Sequence, residues 1–188
     1  MCLKAFGKYN WNLDLQGKNI KLRLLEPTDL EWLMQVENDE SMWHLSNTHE
    51  PYTAQQLADY IANAKVDIFD ALQMRWVVSF QNQNVGLIDL FDMDKHHKRA
   101  GVGILITKAF QNQKLGSEAL QLLVEHAFQF LKLHQLYANI NTDNLPSLKL
   151  FQNAGFEING TKKDWNIYDT KTIDEHFLQL INPNENQN

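Results

Sequence analysis

The sequence predicts a single mixed α/β domain in which about four helices flank a largely antiparallel sheet of about seven strands. Three observations carry this expectation. Residues 75–80 and 85–91 are runs rich in β-branched and aromatic residues, Gln81-Asn82-Gln83-Asn84 between them is a turn in composition, and residues 101–106 supply a third run after a basic loop, so the three read as an antiparallel meander. Two segments of helical periodicity follow the first strand. A long amphipathic segment then begins just behind the third run of the meander.

Each element has its own local reason. Residues 20–24, Ile-Lys-Leu-Arg-Leu, alternate apolar and polar side chains as a half-buried strand does. Thr28 precedes Glu31 at capping-box spacing, and Leu30, Leu33, Met34 and Glu37 then divide into an apolar and a polar helical face. Thr53 and Gln56 repeat the device ahead of Leu57, Tyr60, Ile61 and Ala64, which fall at i, i+3, i+4 and i+7. In residues 117–133, Leu120, Leu123, Val124, Ala127, Phe128 and Leu131 share one stripe, while Glu118, Gln121 and Glu125 lie largely opposite. Residues 136–140 read as a strand, 146–153 as a short helix ended by Gly155, and 173–181 as a late strand. Without an internal repeat or interdomain linker, residues 18–181 are expected to form the domain, between an N-terminal extension at 1–17 and a polar tail at 182–188.

Composition narrows the function. At 188 residues with 44% hydrophobic side chains, the chain is long enough to build one real core. A formal net charge of −6 argues against a nucleic-acid ligand, whose phosphates need a basic surface, and leans toward a cationic substrate. No run of about 18 apolar residues is present to span a membrane, and the N-terminus lacks the apolar stretch of a secretory signal. The single cysteine, Cys2, excludes an intrachain disulfide and fits a cytoplasmic protein. The basic cluster from Lys95 to Arg99 reads as a solvated hairpin loop or a phosphate contact. His96 and His97 have no matching ligands at metal spacing, so no metal is expected.

The stretch most informative for function is Gln111-Asn112-Gln113-Lys114-Leu115-Gly116-Ser117. A strand running through a polar turn into a helix presents unpaired N–H groups at the helix's positive end, a place suited to a pyrophosphate. Taken alone, the stretch also describes an ordinary helix start. A second one, Asn144-Leu-Pro-Ser-Leu-Lys-Leu-Phe-Gln-Asn-Ala-Gly-Phe156, follows after another strand. Together they resemble the GNAT superfamily of acetyl-CoA-dependent N-acetyltransferases, whose loop reads Gln/Arg-x-x-Gly-x-Gly/Ala and whose later signature reads Asn-x-x-(Ser/Ala)-x-x-x-Tyr-x-x-x-Gly-Phe. The resemblance spans residues 18–181. Residues 22–30, 86–90 and 99–104 are also similar to the branch that holds ribosomal-protein N-terminal acetyltransferases and spermidine N-acetyltransferase.

The resemblance implies a GNAT-like fold whose sheet splays to hold acetyl-CoA as the acetyl donor. Gln111, Asn112, Gln113, Lys114, Leu115, Gly116 and Ser117 would wrap the pyrophosphate with main-chain N–H groups. Ile104, Leu105 and Ile106 would pair with the pantetheine arm, and Asn144, Ser147, Phe151 and Asn153 would lie along the thiol half. Gly116, with no Cβ, allows backbone to approach an anion closely and can adopt dihedrals closed to other residues. Asn144 and Ser147 equally well begin a helix and do nothing more. Two positions depart from the pattern. Lys114 stands at the first glycine of the loop, and Phe151 stands where many relatives carry the tyrosine that protonates the departing thiolate. Phenylalanine has no proton to donate.

Acetyl transfer to nitrogen needs a neutral amine, whereas an alkylamine with a pKa of about 10.4 is almost wholly protonated at neutral pH. A carboxylate nearby attracts the cation and accepts its proton. Asp89 and Asp92 are the preferred candidates and Glu26 is the third; Asp89 matches a position often acidic in spermidine-type relatives. Asp89 reads equally as a strand-face charge paired with a lysine or arginine. The main-chain N–H of Ile104 or Leu105 would polarise the thioester carbonyl. Trp43 and Tyr52 flank the polar residues 44–50 and are the preferred walls of the acceptor entrance. The expected reaction is direct transfer to a primary amine of a small polyamine-like or aminoglycoside-like molecule, or of a protein N-terminus, by a possible homo-oligomer. The alternative is a CoA-binding sensor or partner-binding module with weakened catalysis.

Overall fold

The computed structural model describes residues 14–46, 50–66, 68–168 and 170–183, without the side chains of 44–46. Cys2, most of the N-terminal extension, residues 47–49 of the polar stretch and the end of the tail lie outside the described residues. Eight strands, β1 (Leu15–Gln16), β2 (Ile20–Leu24), β3 (Met74–Phe80), β4 (Gln83–Asp94), β5 (Arg99–Ile106), β6 (Gln135–Asn141), β7 (Glu157–Tyr168) and β8 (Lys171–Ile181), form one open sheet. Their order across it is β1-β2-β3-β4-β5-β6-β8-β7, and β5–β6 is the parallel pair in an otherwise antiparallel ladder. Between β2 and β3 come a 3-10 turn (Pro27–Asp29), α1 (Leu30–Glu37), α2 (Glu40–Ser46), α3 (Ala54–Ala62) and α4 (Ile68–Ala71). Helix α5 (Leu115–Gln129) follows β5, and α6 (Leu145–Asn153) follows β6.

The pleat of the strands sorts the core into two layers. Trp76 and Val78 of β3 share one face with Ile88 and Leu90 of β4, and pack with Leu120 and Leu123 of α5 and Phe151 of α6. Val77 and Leu87, one residue out of phase, pack with Leu33 of α1 and with Leu57 and Ile61 of α3 on the other face. Burial on both faces explains why the meander strands read as near-continuous apolar runs. No helix among the described residues is long and apolar enough to cross a membrane.

Several elements differ from the sequence expectation. Thr28 lies in the 3-10 turn and does not cap α1. The turn is held instead by Asp29, a residue only 3% exposed. Its carboxylate accepts from the Glu26 N–H at 2.8 Å, from both Arg23 terminal nitrogens at 2.7 Å, and from the Asn84 amide at 2.9 Å. The Thr53–Gln56 box forms as its spacing implies, with the Gln56 N–H donating to Thr53 Oγ1 at 3.3 Å and the Thr53 N–H to Gln56 Oε1 at 2.8 Å. Helix α2 takes up the first part of the polar stretch 44–50. Strand β7 had no apolar alternation to reveal it, because it lies on the sheet edge with Ile158, Trp165 and Ile167 exposed. Residues 15–16, placed in the extension, pair with β2, and Asn182, placed in the tail, is buried and donates its N–H to the His134 carbonyl at 2.8 Å. The basic loop is exposed and turns on Asp94, which accepts the His97 N–H at 2.8 Å and meets Arg99 at 3.2 Å.

Candidate active site

The sheet opens at its one parallel joint. Strands β5 and β6 pair at Arg99↔Gln135, Ala100↔Leu136 and Gly101↔Tyr137, and no further. Beyond that point β5 stays on β4 as far as Ile106, while β6 stays on β8 as far as Asn141. The two strands therefore part toward their C-terminal ends, leaving one side of β5 without a strand neighbour. Ladder parity says which groups face the opening. The Thr107 N–H donates to the Val85 carbonyl at 2.9 Å, so Leu105 and Gly103, two and four residues back, also direct their main-chain groups to β4. Ile104 and Ile106 then point theirs into the opening, where the Ile106 carbonyl receives the Gln111 side-chain amide at 3.0 Å.

Two helix N-termini flank this mouth, because α5 and α6 each start just after the C-terminal end of a parting strand. The approach to α5 is tight: Asn112 and Lys114 both adopt the left-handed region, at φ 62° and 63°, and the Gln113 amide donates to the Ala109 carbonyl at 3.2 Å. The helix starts at Leu115, two residues before the sequence expectation. Its first i to i−4 bond runs from the Glu118 N–H to the Lys114 carbonyl at 3.1 Å, so the amides of Leu115, Gly116 and Ser117 precede that ladder. The sequence reading of Gly116 needs correction in part: the positive φ falls on Lys114 and Asn112, not on the glycine. What Gly116 supplies is space. A Cβ there would come within 3.3 Å of Ile106 Cγ1 and 3.7 Å of Leu150 Cδ2, so its absence lets the first turn of α5 seat against β5 and α6.

In the second motif, Asn144 caps α6, its Oδ1 accepting the Ser147 N–H at 3.2 Å. Phe151 is 2% exposed, sits edge-on to Phe156 at 5.0 Å and belongs to the core packed around α5 and the sheet. Asn153, at the far end of α6, is exposed.

The three carboxylates singled out in the sequence end up in different places. Asp89 stands directly opposite Gly103 on the stretch of β5 beyond the parting, and a Cβ at Gly103 would lie 3.0 Å from its Oδ1. Asp92 is exposed, at φ 46° in an irregular stretch of β4 on the closed side of the joint, and accepts from the Tyr137 hydroxyl at 3.4 Å. Glu26 is exposed at the 3-10 turn. Burial pushes the Asp89 carboxyl above its ordinary range, and the nearby Arg75 cation only partly opposes that. Arg75 of β3, directly opposite Asp89, brings Nε to 3.6 Å from Asp89 Oδ1 and a terminal nitrogen to 2.7 Å from Glu37 Oε1, with the Tyr60 ring 5.4 Å from the guanidinium carbon. Arg75 and Tyr60 also line a cavity of about 310 Å³ with Leu25, Asn63, Ala64 and Met74.

Trp43 and Tyr52 are both tied to the C-terminal end of α1. The Trp43 indole N–H donates to the Glu37 carbonyl at 2.9 Å, and Tyr52, 40% exposed, exchanges main-chain bonds with the Asn38 side chain at 2.8 and 3.0 Å. Lys108 reaches back from the end of β5 to Ser41 Oγ of α2 at 2.6 Å. Sequence reading missed Arg75, Glu37 and Tyr60. Counting back across the turn at 81–84 carries Asp89 to the neighbourhood of Arg75, so the pairing is signalled in the sequence.

A sheet that parts between two helix N-termini leaves an opening bordered by main chain without a strand neighbour and by two positive helix ends, a seat suited to an extended anionic ligand. Solved structures of the same fold include spermidine N-acetyltransferase from Vibrio cholerae in complex with CoA and spermine, at TM-score 0.79 and 20% identity over 87% of this chain and 96% of that one. The ribosomal L7/L12 α-N-protein acetyltransferase RimL in complex with CoA superposes with TM-score 0.79 at 16% identity, over 89% of this chain and 97% of that one. The spermidine N(1)-acetyltransferase of Escherichia coli (strain K12) is 30% identical over 146 residues, 76% of this chain and 75% of that protein. A family profile described as "Acetyltransferase (GNAT) domain" matches residues 19–157. The chain belongs to the GNAT family of N-acetyltransferases, and acetyl-CoA is its donor cosubstrate.

Proposed function

We propose that this enzyme acetylates a primary amine of a small, polyamine-like or aminoglycoside-like cation, with Asp89 as the base. The observation that carries the reading is the position of Asp89: opposite Gly103 on the open part of β5, with a carboxyl whose burial raises its proton affinity. Such a carboxylate attracts the ammonium form of the acceptor and takes its proton, directly or through water. Acetyl-CoA supplies an activated acetyl group, and this chain's part is to hold and orient it. The amides of Leu115, Gly116 and Ser117, with the loop of Gln111, Asn112, Gln113 and Lys114, face the diphosphate, and the open main chain of Ile104 and Ile106 pairs with the extended arm. The Ile104 N–H is the donor aimed at the carbonyl oxygen, since that of Leu105 is directed to β4. Asn144 and Ser147 bound the opening on the α6 side.

Phe151 cannot protonate the leaving sulfur. A thiol with a reference pKa of about 8.5 leaves as a thiolate without that help, at some loss of rate. The acceptor side favours a small cation. Glu37 and Asp89 share the single charge of Arg75, which leaves the cluster net negative, and the cavity of about 310 Å³ beside it is of small-molecule size. A protein N-terminus is the second acceptor class, matched by the fold alone.

The reading is tested by following thiol release from acetyl-CoA with a panel of polyamines, aminoglycosides and N-terminal peptides. Turnover with the small cations and a drop of at least tenfold at pH 7 in Asp89→Asn, partly restored as pH rises and the amine loses its proton unaided, is the expected result. Saturable acetyl-CoA binding without thiol release on any amine leaves the sensor reading, which the core placement of Phe151 favours.

A further inference from the structure

Arg75, Asp89 and Gly103 are directly opposite one another on β3, β4 and β5, in a row that ends at the open part of the sheet. The Arg75–Asp89 contact in that row is unlike the pair formed by Arg23 and Asp29 on the same face. Arg23 and Asp29 make two short bonds of 2.7 Å, and their carboxylate also accepts a main-chain N–H. Arg75 keeps its Nε 3.6 Å from Asp89, outside hydrogen-bond reach, and gives its short bond of 2.7 Å to Glu37 at the end of α1. The buried Nε has no hydrogen-bond partner among the described residues. A bidentate bond occupies a carboxylate and holds a proton off it, whereas a cation at this distance steadies the negative charge and leaves the oxygens free.

From this geometry we propose that Arg75 is a positioning residue for acetyl transfer: it holds Asp89 over Gly103, and Glu37, by drawing the guanidinium toward α1, keeps Asp89 able to accept a proton. The inference rests on the reading of Asp89 as the base. It ties proton acceptance to α1, the helix whose end also carries Trp43 and Tyr52. Among the described residues, the charged and titratable groups around the Arg75–Asp89 pair are Glu37 from α1, Tyr60 from α3 and Tyr52 just before α3. The titration fits the geometry: burial raises the Asp89 carboxyl, whereas in Asp29 the bonds from Arg23 and Glu26 outweigh burial and lower it.

The test is the pH dependence of kcat/KM for the full chain, with an amine that the wild type acetylates. In Arg75→Met nothing opposes the burial of Asp89, so the acidic limb moves up by about one pH unit or more, and Arg75→Lys restores part of it. In Glu37→Gln the guanidinium acts on Asp89 alone and the limb moves down. Opposite displacements by two neighbouring substitutions are not expected of a merely structural ion pair. A uniform loss of rate with both limbs unmoved overturns the proposal; if Arg75→Met fails to fold, as judged by loss of acetyl-CoA-induced thermal stabilisation, the direction found in Glu37→Gln decides. Full activity in Asp89→Asn removes Asp89 as the base and takes this inference with it. A slow Asp89→Asn beside unmoved limbs removes this inference alone.

Discussion

His126 sits on α5 with its ring edge-on to Trp76 at 5.9 Å and stacked on Phe130 at 5.5 Å. It is 4% exposed, and neither ring nitrogen has a hydrogen-bond partner among the described residues. Burial alone brings its pKa down to about 4. An unfolded histidine titrates near about 6.5, so between these values the unfolded chain takes up a proton that the folded one refuses. The stability of the neutral buried ring is fully present above about pH 6.5 and falls by about 3 kcal/mol as pH drops toward 4. His126→Phe keeps the stacking and removes the titration, so denaturant unfolding should show a flatter loss of stability between pH 7 and 4, with no loss at pH 7. An unchanged slope would mean that the ring finds a partner on protonation. Among the candidate residues, chemistry put forward Asp89 together with Asp92 and Glu26, because acetylation of an ammonium needs a carboxylate. The separation of Asp89 from the other two was not legible, since it depends on which strand lies across from it.

At the scale of elements, the turn into α5 carries a testable strain. Lys114 adopts a left-handed conformation at φ 63°, which costs an L-residue with a Cβ roughly 1–2 kcal/mol. Glycine at this position removes the clash and adds some unfolded-state entropy. Lys114→Gly should therefore raise stability by about 1 kcal/mol, a rise in Tm of about 2–4 °C for a domain of this size. A lower Tm would show that the lysine side chain makes a compensating contact. The same turn shows what local sequence conveys. The strand, the polar turn and the helix behind it were all legible from composition and periodicity, as was the cap at Thr53. The cap expected at Thr28 does not form, because Asp29 organises the turn through Arg23 of β2, the Glu26 N–H and, from β4, Asn84. Strand β7 was missed because an edge strand exposed along its length needs no apolar alternation.

For the whole molecule, the parting of β5 from β6 is the decisive feature. It leaves main chain unpaired in the middle of a sheet, a state that an extended ligand arm relieves by adding bonds like those of a strand. Acetyl-CoA at a hundredfold excess over its Kd should stabilise the fold by about 2.7 kcal/mol, a rise in Tm of roughly 5–10 °C. Pantetheine, which lacks the diphosphate, should give much less. An unmoved Tm with acetyl-CoA would remove the opening as the donor seat. By itself the sequence determined the order of most of the elements, the membership of the family and the donor, because each follows from local periodicity or from a motif of consecutive residues. Only the tertiary structure decided that Ile104 and not Leu105 offers its N–H, that Phe151 belongs to the core, and that Arg75 and Glu37 attend Asp89. These depend on register across strands and on packing between helices, and side chains far apart in the chain meet only when the sheet sets them face to face.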